Sequence, residues 1–80
     1  MDEYQVAQRA IADLKSAVLS YVRENDPVRN SDLGRALGIY FGHGDEGRHV
    51  GHVSRSILRL LEDEGLVAQD EANAWALTGP

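Results

Sequence analysis

The residues with the most chemistry per position lie in one short run, Gly42 to His52, which reads GHGDEGRHVGH. Four of its eleven residues are glycine, and it holds all three histidines of the chain. Three roles suit such a composition: ligating a metal, cradling a phosphate, or delivering a helix to its target. His49 and His52 are three residues apart. On one helical face both would reach a single ion, with His43 or Asp45 completing the set. That geometry breaks if the helix starts at Val50 or later, and no carboxylate is evidently placed to orient the imidazoles. The run lacks the GxxxxGK[ST] arrangement of a nucleotide-phosphate loop, and no lysine lies near it. We therefore expect no metal and no cofactor, and read residues 42–49 as a glycine-rich loop whose last residues feed a helix. Ser31 and Ser54 do not make an enzyme with these histidines. There is no nucleophile elbow, and 80 residues leave little room for a buried pocket.

The elements that must position these groups belong to a small soluble chain. Eighty residues make one domain near the lower limit for a self-sufficient core, with 42% apolar and 26% charged residues. No window approaches the roughly 20 apolar residues of a membrane span. The N-terminus, MDEYQVAQRA, is acidic and amphipathic and lacks the features of a signal peptide. Without cysteine there are no disulfides and no thiolate metal sites. The expectation is a cytoplasmic protein that contacts no membrane. The net charge of −5 argues weakly against nucleic acid, but the distribution matters more. Residues 29–59 hold five arginines against Asp32, Asp45 and Glu46, whereas residues 60–80 hold five acids and no base.

Apolar periodicity sets the elements. Tyr4, Ala7, Ile11, Leu14, Val18 and Tyr21, with Val22 beside them, form one stripe of a helix from about Asp2 to Glu24. Asn25-Asp26-Pro27 stops it. Asn30 or Ser31 caps a short second helix with core residues Leu33, Ala36 and Leu37, ended by Gly38. After the loop, Val50, Val53, Ile57, Leu60 and Leu61 form the inward stripe of a third helix, with Asp45 or Ser54 as its cap and Gly65 as its end. Leu66-Val67-Ala68 and Trp75-Ala76-Leu77 read as two strands around Asp70-Glu71-Ala72-Asn73.

This order, with SDLGRALGI, then VSRSILRLLEDEGLV, then a hairpin containing Trp75, resembles the winged helix-turn-helix DNA-binding superfamily over roughly residues 14–78. The expected fold is mainly α with a small β-hairpin: a long first helix, a short second helix, the glycine-rich loop, a recognition helix and a two-stranded wing at 66–78. The whole chain, 1–80, is one such domain, with 1–13 as an N-terminal helical extension. The resemblance implies that the third helix enters the major groove of double-stranded DNA. His49, His52, Arg55, Ser56 and Arg59 then lie opposite the core, with Ser54 beside them, as groups able to bond base edges or phosphates. Arg29 and Ser31 fall where the superfamily often contacts phosphate, and first-turn amides there suit an anion. Protonating the histidines would add charge facing the DNA. The implied role is a small transcriptional regulator or DNA-targeting module.

Two features depart from the superfamily pattern. The wing tip has no basic residue, so it is not expected to touch DNA. Roughly ten residues separate Gly38 from Val50, where a compact motif uses about 3–4. The first helix also outruns the core it must cover. Tyr4, Ala7, Ile11 and Leu14 could pair two copies into a homodimer, or Tyr4 and Ile11 could fold back on the wing or on Trp75. A rival reading makes the chain a protein–protein interaction module that meets a protein partner with its first helix and acidic wing.

Overall fold

A computed structural model describes residues 2–40 and 51–78. Three helices and a three-stranded antiparallel sheet follow in the order α1 (Glu3–Asn25), β1 (Val28–Arg29), α2 (Asn30–Ala36), α3 (His52–Asp63), β2 (Val67–Gln69) and β3 (Ala74–Leu77). The molecule is thus mainly helical with a small sheet. Among the described residues no helix is long and apolar enough to cross a membrane.

α1 starts where its sequence provides a cap. The Asp2 carboxylate accepts from the Gln5 amide at 2.9 Å, and Glu3 in the first turn suits the positive end of the helix dipole. Its inner stripe is buried only in the second half, at Val18 and Val22. Tyr4 is 72% exposed and Ile11 37%, so neither folds back on the hairpin or on Trp75. Ala7 is exposed as well, and Leu14 is half-buried against the core.

β1 is an element that periodicity does not reveal, because two residues show no alternation. It pairs with β3 through Val28↔Trp75 and Arg29↔Ala74, while β2 pairs with the other edge of β3 through Ala68↔Ala76. The sheet order is therefore β1-β3-β2. The central strand carries Trp75, 1% exposed, which packs with Val18, Val22, Leu33, Leu58, Leu61 and Val67 in a single core.

The glycines at two helix ends behave as expected. Gly38 has φ +73 and Gly65 φ +78, the left-handed conformation that closes a helix cheaply only without a Cβ. After Gly65, the Leu66 amide donates to the Leu61 carbonyl at 3.0 Å. In the hairpin, the Asp70 carboxylate accepts from the amides of Ala72 (2.8 Å) and Ala74 (2.9 Å), and Asn73 takes φ +65.

Several local expectations are corrected. Ala36 is exposed rather than in the core, and the α2 cap position is Arg29, with no side-chain hydrogen bond. α3 is rotated from the expected phase. Ser54, Ile57, Leu58 and Leu61 are buried, while Leu60 is 41% exposed and Val53 only half-buried. The residue capping α3 is Gly51, so Ser54 is not its cap; Asp45 and Val50 lie outside the described residues.

Candidate nucleic-acid interface

The α3 phase buries Ile57, Leu58 and Leu61 and brings in one polar contact between elements. Ser54 is 0% exposed, and its hydroxyl donates to Asn30 Oδ1 at 2.6 Å. A second geometry reaches the Gly51 carbonyl at 3.2 Å. Asn30 Nδ2 donates to the same carbonyl at 3.1 Å. Every buried polar side-chain atom among the described residues has a partner, so a serine can sit in the core without the usual desolvation penalty. The network ties the start of α2 to the start of α3. Gly51 lets it close, since a Cβ there would stand 2.4 Å from Asn30 Nδ2. Gly34 does the same on the other side, where a Cβ would meet Ser54 Oγ at 3.1 Å and the Tyr40 ring at 3.2 Å.

With Ser54 inward, about 100° per residue fixes the rest of α3. His52, Ser56, Arg59 and Asp63 form the outward stripe, and all four are exposed. Arg55, half-buried, lies on the flank toward α2. Arg59 is held in two ways. Its guanidinium carbon sits 5.7 Å from the Trp75 ring centroid, and its Nη1 is 3.3 Å from Glu62 Oε1. The stacking limits its reach, whereas an exposed ion pair of this kind is weak and easily exchanged for another anion.

Arg29 and Ser31 lie on the same side as Arg55. Together with Asn30, Tyr40, Gly51 and Asn73 they line an open cleft of about 210 Å³. The cleft brings together the start of α2, the start of α3 and the turn between β2 and β3. Arg29 belongs to β1, whose pairing with β3 sets it opposite Ala74, the neighbour of Asn73. Tyr40 is wedged against Gly34 on one side, and the Arg35 guanidinium lies 4.5 Å from its ring centroid.

The sequence-derived candidates therefore separate into groups. Arg29, Ser31 and Arg55 share one cleft, and His52, Ser56 and Arg59 share one exposed face. Ser54 does not face outward, and its hydroxyl serves the Asn30–Gly51 network instead. His49 lies outside the described residues, as do His43 and Asp45, so of the four residues weighed as metal ligands only His52 is described. Among the described residues no cluster of three His, Asp or Glu could hold a metal ion. The hairpin turn is acidic, but its two carboxylates differ: Asp70 is committed to the turn's own amides, and Glu71 is exposed.

Sequence reasoning missed Asn30 as a bridge and did not associate Tyr40 or Asn73 with the site. A serine in the middle of an otherwise apolar helical face, at Ser54, is the one signal that called for a distant polar partner. Comparison of the chain with protein-family models, curated proteins and solved structures finds no match to any of them.

Proposed function

We propose that this chain is a winged helix-turn-helix domain that binds double-stranded DNA, with α3 in the major groove. The element order and the sheet order β1-β3-β2 support the fold reading, because they put a β2–β3 hairpin directly after α3. The observation that carries the function is the combination on one side of the molecule. His52, Ser56 and Arg59 point outward from α3, while Arg29, Ser31 and Arg55 gather beside them at the α2–α3 junction. In this reading Arg59 and Ser56 meet base edges, and Arg29, Ser31 and Arg55 hold the phosphate backbone. The acidic tip of the hairpin, Asp70 and Glu71, makes no contact with the DNA, although Asn73 at its end borders the same cleft.

The exposed front half of α1, with Tyr4, Ala7 and Ile11, pairs two copies and so sets two recognition helices for a two-fold site. The experiment is fluorescence anisotropy with a labelled random-sequence duplex over a range of salt. Two arginines on the phosphate backbone, Arg29 and Arg55, give a log–log salt slope of about −2 per bound chain. An affinity that does not respond to salt, or no binding at low salt, rejects the proposal.

A second reading has its own support. Tyr4 and Val6 are 72% and 51% exposed, a cost that a protein partner on α1 would remove. It would be favoured by a chain that ignores DNA yet captures a partner only while residues 2–12 are present.

A further inference from the structure

The cleft between β1, α2, α3 and the hairpin turn offers more than a rest for one backbone phosphate. Its volume is about 210 Å³. A single phosphate group leaves much of that unfilled, yet drug-sized pockets begin at about 300 Å³. The lining is polar. Arg29 and Arg55 come from separate elements, no carboxylate lines it among the described residues, and Ser31, Asn73 and Tyr40 add neutral hydrogen-bonding groups. Two guanidinium forks suit a dianionic phosphate, and hydroxyl and amide groups suit the hydroxyls of a carbohydrate.

Contacts within the chain also hold several of the lining residues. Asn30 joins Gly51 and Ser54 across the floor, β1–β3 pairing sets Arg29 opposite Ala74, the neighbour of Asn73, and Gly34 and Arg35 hold Tyr40. Preorganisation of this kind lowers the entropy lost on binding a small ligand.

We infer that the cleft is a binding site for a small phosphorylated polyol or sugar. Its phosphate monoester sits between Arg29 and Arg55, and its hydroxyls meet Ser31, Asn73 and Tyr40. A further consequence rests on the DNA-binding reading: an occupied cleft withholds both arginines from the DNA backbone, so the ligand lowers DNA affinity.

The test is an amide NMR titration of the full chain with ribose 5-phosphate. Inorganic phosphate, ribose and sodium sulfate at matched ionic strength form the other arms. The expected result is saturable shifts at residues 29–31, 40, 55 and 73, with ribose 5-phosphate binding at least about tenfold tighter than inorganic phosphate. Arg29→Gln and Arg55→Gln each weaken it by roughly tenfold or more, as loss of a charged hydrogen bond does. Arg9→Gln, on the exposed front half of α1, leaves it unchanged. If Arg55→Gln does not fold, the exposed Arg29→Gln carries the test. Shifts that fail to saturate, that sulfate reproduces, or that spread over the other arginines overturn the site. Equal affinity for inorganic phosphate overturns the polyol assignment and leaves an anion site. Ribose 5-phosphate is then added to the anisotropy assay. Saturable binding that leaves DNA affinity unchanged overturns the competition alone. DNA binding without any response to ribose 5-phosphate overturns the site and leaves the DNA reading standing.

Discussion

Gly51→Ala should destabilise the protein through Asn30, and a double-mutant cycle can isolate that route. A Cβ at residue 51 would stand 2.4 Å from Asn30 Nδ2, so the amide group must move. Among the described residues no backbone atom is that close, and Gly51 has φ −95, which any residue adopts, so the cost is not strain in the main chain. What is lost is the Nδ2 bond to the Gly51 carbonyl and the Ser54 bond to Oδ1, the latter partly replaced by the Ser54 contact with Gly51. At about 1 kcal/mol net per neutral hydrogen bond, the displacement costs about 1.5 kcal/mol. Alanine as an N-cap residue adds about 0.5 kcal/mol over glycine. The sum, about 2 kcal/mol, lowers Tm by roughly 8–16 °C in a chain of this size. In an Asn30→Ala background the clash and both bonds are already gone, so Gly51→Ala should cost only the cap term of about 0.5 kcal/mol. Urea unfolding of the four proteins gives the coupling. Equal costs in both backgrounds, within the roughly 0.5 kcal/mol of ordinary additivity, would refute the account of how α2 and α3 are joined.

Other substitutions probe other links. Arg55→Gln should weaken duplex binding and reduce the salt slope by about 1, as expected for one lost phosphate contact; an unchanged slope in anisotropy would remove Arg55 from the backbone-binding set. Trp75→Ala empties the centre of a core that buries the ring to 1% exposure, and urea titration should register a loss of about 3–5 kcal/mol. Gly65→Ala meets no atom within 4 Å, so its only cost is the left-handed backbone, about 1–2 kcal/mol, which Gly65→Asn should partly recover in thermal melts. Removing residues 2–12, all of them exposed, should leave the melting profile of the core nearly unchanged while sedimentation mass falls from dimer to monomer; a full chain that already sediments as a monomer contradicts the pairing through α1.

The parts of this fold that could be read from sequence are those with a local cause. The Tyr4–Val22 stripe, Pro27, Gly38 and Gly65 fix where helices run and stop, because periodicity, a missing amide and a left-handed residue act within a few positions. The hairpin was legible for the same reason, since Asp70 and Asn73 build its turn from their own side chains and backbone. The phase of α3 was not legible. The expected stripe omitted Leu58; the observed phase buries Ile57, Leu58 and Leu61, and it brings in Ser54, whose hydroxyl finds a partner in Asn30, twenty-four residues away. β1 was missed because Val28 and Arg29 are strand only by pairing with Trp75 and Ala74. The arginine-rich side of the candidate site was visible as composition, whereas the cleft that joins Arg29, Arg55 and Asn73 exists only through tertiary packing.

The most direct measurement of the central claim is an amide NMR titration with a random-sequence duplex of about 20 base pairs at low salt, repeated at higher salt. The account predicts shifts concentrated at residues 52–59 and 29–31, with the β2–β3 turn at 70–72 unmoved, and a steep loss of affinity as salt rises. Spectra that stay still at low salt and high protein concentration would contradict it.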